Sequence, residues 1–405
     1  MLVKYLVPAL AAFGSAAAQA GTCTVSGGTT TVNSQAEATK LASCRTVRGS
    51  VVLGKQTGAA IDISGPQQIT GDLRVEDNGD LETLSSSTLT SVGGAFVLKN
   101  VTKINAINFS KLTSVRALQW QSLSLLSSIT LGPLSSADEV TISDTVLQSL
   151  EGIDLTNVKK FNINNNRRLQ QFSSKLATLD EELIIQANGI GLGLTVDLPN
   201  LVWAANMAIA NVTKFSVPSL KVVNGSARFD SNFFESFSAP NLTHTEKGDI
   251  SFVGNAALNN LTFPRLTVIG GGLLVANNTA LDEINAFSKL ERVGGAIKLR
   301  GNFTEVEFPA LNTVEGAVDI SSTADIRDTC EELSKFAPAN QGGDGTIAGV
   351  FSCTANNANA NDDIDGDTSD SGNIDGKDDE NSAAGMAFNS ALLGLVAVAG
   401  FAAAL

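Results

Sequence analysis

Three recurrences along the 405-residue chain predict its fold class. A leucine ending a short apolar or Pro-containing group returns at Leu112, Leu201, Leu220, Leu242, Leu266, Leu290 and Leu311. Each leads into an alternating segment of the form apolar-x-Gly-x-apolar-x-apolar. An asparagine often follows three residues after the last apolar position. Together they predict a mainly β fold, a right-handed parallel β-solenoid of about thirteen leucine-rich-like rungs, with short helical disulfide caps at both ends.

The alternating segment sets the strand. Clear copies are Val47-x-Gly49-x-Val51-x-Leu53, Ile69-x-Gly71-x-Leu73-x-Val75 and Val92-x-Gly94-x-Phe96-x-Leu98. Others begin at Val223, Ile269, Val293 and Val314, with Gly225, Gly271, Gly295 and Gly316 at the glycine position. Weaker copies centre on Leu118/Trp120, Val140/Ile142, Phe161/Ile163, Leu183/Ile185, Met207/Ile209 and Ile250/Phe252. Period-two alternation marks a strand with one buried face. One strand per about 23 residues cannot hairpin with its neighbour, but it can stack on it in parallel at about 4.8 Å per rung. The recurring glycine is expected to let the chain turn tightly into each strand. Residues 268–278, VIGGGLLVANN, are one such rung. Taken alone, that glycine run resembles a phosphate cradle, but it lacks the following helix of a dinucleotide site and its glycine recurs in most rungs.

The asparagine column comprises Asn78, Asn166, Asn188, Asn232, Asn255, Asn278 and Asn302. It predicts a buried carboxamide ladder that bonds the backbone of adjacent rungs. The full pattern overlaps a leucine-rich repeat but is rich in Gly, Ser and Thr, with no regular helical return. A flattened, β-rich coil is therefore expected, with rungs over 47–322.

The ends of the sequence carry different signals. Residues 1–20 read as a secretory signal: one Lys, an apolar run and a small-residue end. Four cysteines remain, and proximity pairs Cys23 with Cys44 and Cys330 with Cys353. Their spacing does not suit zinc. Ser34–Glu37 and Thr329–Glu332 both match a capping box, which predicts a short helix in each cap, at 21–46 and 323–355. Residues 356–381 are an acidic spacer of disordered composition and hold much of the −14 formal charge. Asp363, Asp365 and Asp367 lack the Gly and Glu placement of a calcium loop. Small residues at 381–383 precede an apolar tail with no following charge, the layout of a lipid-anchor signal. Asn381 is the expected attachment residue and 382–405 the cleaved tail; a permanent transmembrane helix is the alternative.

The set resembles the fungal extracellular-mutant and sporulation-specific family of GPI-anchored cell-wall organisation glycoproteins. Its order carries the resemblance: signal, Cys23/Cys44 cap, Gly-Gly-apolar rungs with Asn, Cys330/Cys353 cap, acidic spacer and lipid signal. The resemblance implies a receptor L-domain-like solenoid at the cell surface that serves wall architecture, with no catalytic residues to transfer. The implied partners are the membrane, through the lipid, and cell-wall polysaccharide or wall glycoproteins. No cofactor is implied. The acidic balance excludes a nucleic-acid surface.

Candidate sites follow from the register. N-x-S/T sequons occur at Asn100, Asn108, Asn211, Asn224, Asn241, Asn260, Asn277 and Asn302. Asn277 is expected to point outward and carry glycan, and Asn302 to lie in the buried ladder and carry little. The middle residue of each strand should face outward, giving a candidate binding face with Arg74, Gln119, Asn162, Arg228 and Lys298. That column holds a single carboxylate, Asp319, which argues against the paired acids of a polysaccharide hydrolase. His244 is the only histidine and reads as structural or solvated. Trp120 falls on an inward position, whereas alternation assigns Trp203 no face. A non-enzymatic wall-supporting glycoprotein is the leading expectation. A ligand-binding adhesin and a wall-glucan-remodelling enzyme are the alternatives.

Overall fold

The computed structural model describes residues 21–189, 191 and 193–361. The secretory signal at 1–20, the acidic run from 362, Asn381 and the 382–405 tail lie outside the described residues. Among the described residues no helix is long and apolar enough to cross a membrane.

The chain winds into a parallel β-solenoid of about 14 turns. A 21-stranded sheet runs along one side, and shorter sheets of four, three, two and two strands close the other. Inward side chains stack on their equivalents one rung away: Leu118 lies between Phe96 and Val140, and Trp120 between Leu98 and Ile142. A one-residue slip would turn such a column toward water, so the buried face fixes the register. The result is one apolar core running from Val32 to Ile347. Phenylalanines dominate its later rungs, with Phe229 stacked on Phe252 at 4.7 Å and Phe263 on Phe287 at 5.4 Å. Trp120 is fully buried against Phe96, and its indole N–H has no acceptor.

The recurring glycines have a different cause from the one expected. Gly71, Gly94, Gly271, Gly295 and Gly316 do not adopt the left-handed conformation. They form a stacked column in which each N–H donates to the glycine carbonyl one rung back, as Gly271 N does to Gly248 O at 3.0 Å and Gly295 N to Gly271 O at 2.8 Å. A Cβ on Gly271 would sit 2.7 Å from the Gly248 carbonyl carbon, and one on Gly316 2.7 Å from that of Gly295. At these five the requirement is close approach of two backbones, not turn geometry; Gly49, at φ 130°, needs a glycine for its backbone conformation as well.

The asparagine ladder forms at the corner beyond the long sheet. Asn255 Nδ2 donates to Phe229 O at 2.9 Å and to Asn278 Oδ1 at 2.9 Å, while its Oδ1 accepts from Asn232 N at 2.8 Å. Asn166 and Asn188 repeat this pattern. Each buried carboxamide thus satisfies carbonyls and N–H groups that the corner leaves without sheet partners. Asn302 departs from expectation. It is half-exposed, and Phe303 fills the inner corner in its place. At the other ladder rungs the preceding residue, such as Asp77, Asn165, Ser231 or Asn277, is left-handed. Gly301 is not among the left-handed residues, and the strand Ile297–Gly301 runs on to it.

Each end is closed by a strand and a helix. Gly21–Val32 pairs with Cys44–Leu53, and Phe351–Thr354 with Val318–Ser322. Disulfides join Cys23 to Cys44 and Cys330 to Cys353, each with Cα atoms 5.5 Å apart. Ser34 caps the helix Gln35–Lys40 by accepting from Glu37 N. Glu37 reaches back to Asn33 N at 2.7 Å, one residue before the usual partner. The second box does not form. Thr329 lies inside the helix Arg327–Leu333, whose start is held by Asp325 accepting from Arg327 N and from the Arg327 guanidinium. These bonds pull the Asp325 carboxyl down to about 2. The C-terminal cap also extends past 355: Asn357 N donates to Ser322 O, and Asn361 Nδ2 to Asn302 Oδ1 at 2.8 Å. Residues 356–361 are therefore part of the cap rather than the start of the spacer.

Candidate binding face

The long sheet brings the outward residues into one column. Arg74, Val97, Gln119, Thr141, Asn162, Ile184, Ala208 and Arg228 are successive register partners. Ser251, Leu274, Lys298 and Asp319 continue the row. The five candidate residues Arg74, Gln119, Asn162, Arg228 and Lys298 thus share a face, but their surroundings differ.

Charges on this face are grouped with opposite charges. Arg74 bonds Asp72 at 3.3 Å and Glu76 at 2.9 Å. Burial pushes the Asp230 carboxyl above its usual range, and the Arg228 charge beside it pulls the other way. Asp319, in register with Lys298, is held through both oxygens by the Arg300 guanidinium. Ala95, Val97 and Ala117 form a small covered apolar patch.

From the rung of Gln119 to that of Gln186 two outward columns are uncharged; Lys99 lies one rung before them, and the column beside them carries Glu139, Lys160 and Glu182. Gln119, Thr141 and Asn162 lie in successive rungs, and Gln121, Ser143, Asn164 and Gln186 run beside them. Asn164 Nδ2 donates to Asn162 Oδ1 at 2.7 Å. Lys160 at the margin pairs with Glu181 at 3.3 Å. Trp203 opens the strand Trp203–Ala210 and is half-buried, whereas the adjacent Ala204 is fully buried. Its ring therefore faces outward at the edge of this field. Counting back by twos from inward Ile209 and Met207 would have turned it inward. The alternation breaks within this strand, where adjacent Ala204 and Ala205 are both buried, opposite the register shift between Leu179 and Glu182.

His244 makes two local bonds, Nδ1 with Thr243 Oγ1 at 2.9 Å and Nε2 with Glu246 Oε1 at 3.3 Å. Thr243 Oγ1 also bonds Lys221 O at 3.0 Å. Among the described residues no group of three His, Cys, Asp or Glu is placed to hold a metal. A depression of about 350 Å³ adjoins Arg300 and Asp319, and one of about 790 Å³ lies between Leu131 and Phe172. In the latter, Asp154 bonds Lys175 at 2.7 Å.

None of the eight sequon asparagines lies on the outward columns of the long sheet. Asn100, Asn211 and Asn277 occupy left-handed corner positions. Asn108 and Asn260 are exposed on the opposite sheets. Asn224 is exposed beside the glycine column. Asn241 Nδ2 donates to Pro218 O at 2.8 Å, and Asn302 Nδ2 to Thr279 O at 3.0 Å. Asn302 Oδ1 also accepts from Thr323 and Asn361.

Known proteins place this rod in a family. The sequence profile of Ecm33, described as a GPI-anchored cell wall organization protein, matches residues 1–42. Protein ecm33 of Aspergillus fumigatus is 35% identical over 355 residues, covering 87% of this chain and 86% of its own. A cell surface GPI-anchored protein of Arthroderma benhamiae is 34% identical, covering 80% of this chain and 81% of its own. Sporulation-specific protein 2 of Saccharomyces cerevisiae is 34% identical, covering 72% and 58%. No solved structure matches the chain. Similarity of this extent shows that the chain belongs to the fungal Ecm33 family of GPI-anchored cell wall organization proteins.

Proposed function

We propose that the protein is a non-enzymatic, GPI-anchored surface glycoprotein that supports the organisation and integrity of the fungal cell wall. Similarity across 87% of the chain to an Ecm33 protein carries this reading. The rod geometry supports it. A solenoid closed at both ends by disulfides holds a fixed shape outside the cell and displays a long face. The one carboxylate in the outward column, Asp319, is occupied by Arg300, so that column offers no free acid pair for glycoside hydrolysis. The lipid is attached at Asn381, and the mature chain runs from Gly21.

The test is a deletion strain challenged with wall-binding dyes and wall-digesting enzymes. The reading expects sensitivity that the full-length gene reverses, and protein released from membranes by phospholipase C or recovered in a wall-linked pool. Release of reducing sugar from wall glucan by the purified protein would contradict it.

A further inference from the structure

We propose that the outward sheet face of residues 114–210 binds an uncharged polysaccharide chain. The proposal rests on the wall-support reading above and supplies its point of contact. Four observations converge. First, no sequon occurs between Asn108 and Asn211, so these rungs offer no site for N-linked glycan, whereas sequons lie on both flanks. Second, five continuous strands build this stretch: Ser114–Leu123, Glu139–Thr145, Asn157–Asn164, Thr178–Gln186 and Trp203–Ala210. Five rungs at about 4.8 Å spacing give a face about 19 Å long that no glycine corner interrupts.

Third, the side chains at its centre are Gln119, Gln121, Thr141, Asn162 and Asn164. Carboxamides and hydroxyls both donate and accept, as sugar hydroxyls do, and they meet a neutral ligand without the cost of stripping water from a charge. Fourth, Trp203 presents a half-buried ring at the edge, an apolar plate with one polar handle. The alternatives fit less well. A polyanion needs a field of Lys and Arg, and Lys160 here is paired with Glu181. A protein interface usually centres on aromatic or Arg anchors, and the centre of this field has neither.

The experiment uses full-length protein released from cells, titrated with soluble neutral glucan, mannan and chitin oligosaccharides and with a sulfated polysaccharide. Saturable binding of at least one neutral glycan is expected, with the sulfated polymer weaker. Q119A/N162A and W203A should each weaken binding at least tenfold at unchanged melting temperature. N164T makes Asn162 a sequon asparagine; the glycan it gains should abolish binding, while S251N/V253T, which adds a sequon farther along the sheet, should not. No neutral glycan bound, preference for the polyanion, or wild-type binding by Q119A/N162A, W203A and glycosylated N164T would overturn the proposal. Wall sensitivity of the deletion strain tests the wall-support reading separately, because it does not depend on these variants.

Discussion

Residues 114–210 and 222–322 belong to one solenoid but build their rungs differently. In the first stretch each rung enters the long sheet as one strand, such as Ser114–Leu123 or Thr178–Gln186. In the second it enters as two, such as Val268–Ile269 and Leu273–Ala276, separated by glycines. There the backbones of successive rungs touch at the glycine column, leaving no space for a side chain. In the first stretch the same region carries exposed Glu181 and the small Ala205. The second stretch holds five of the eight sequons, the first none. The comparison assigns scaffold and glycan coat to the glycine-cornered rungs and the bare face to the continuous ones.

The comparison can be broken first at the corner. Gly271→Val should destabilise by about 3 kcal/mol or more, because its Cβ would meet backbone atoms of Gly248 that cannot yield. Glu181→Val, at an exposed site in the continuous rungs, should change stability by less than about 0.5 kcal/mol. Urea denaturation of both variants measures the contrast, and equal losses would remove it.

A smaller effect is expected at the ladder. Asn255→Ala leaves Phe229 O and Asn232 N without partners in the core and should cost about 2–3 kcal/mol. The same denaturation series reads it, and a loss below about 0.5 kcal/mol would show that water replaces the carboxamide.

Glycan mapping sharpens the contrast between two sequons of the cornered stretch. Asn277, outward at a left-handed corner, should be occupied. Asn302, whose amide nitrogen and oxygen are both engaged, should be largely unoccupied. Peptide mapping by mass spectrometry decides, and full occupancy at Asn302 would contradict the bonding described for it.

The smallest effect concerns the C-terminal cap. Asp325 has a depressed carboxyl pKa of about 2, so its stabilising tether is complete above the ordinary Asp value and fades as pH falls toward about 2. The protection factor of the Arg327 amide, which is the exchange rate corrected for its intrinsic pH dependence, should fall only in that acid range and stay constant between pH 5 and 8, above the usual carboxylate range.

Much of this architecture was legible because inward columns obey period two. Leu118, Val140, Phe161 and Leu183 mark rungs even without the glycine. What alternation could not show is where parity changes. The break at Ala204 and Ala205 leaves Trp203 outward, and no residue type announces it. Asn302 matches the ladder in its spacing from Leu299, but the corner is set by backbone conformation at Gly301 and by the bulk of Phe303. Thr329 matched a capping pattern, but Asp325 lies earlier and offers a carboxylate, so the helix begins there. Sequence alternation presents the binding face as one column. Only the structure separates the charge-grouped rungs at Arg74 and Arg228 from the two uncharged columns between Gln119 and Gln186, with Glu139, Lys160 and Glu182 beside them.

The most direct test of this division is made in the cell. A deletion strain would receive either N164T or S251N/V253T, with glycosylation at the new site and surface display verified for each. Resistance to wall-digesting enzymes is then measured. The account predicts that S251N/V253T restores resistance and N164T does not. Restoration by both, or by N164T alone, would contradict the assignment of the working face to residues 114–210.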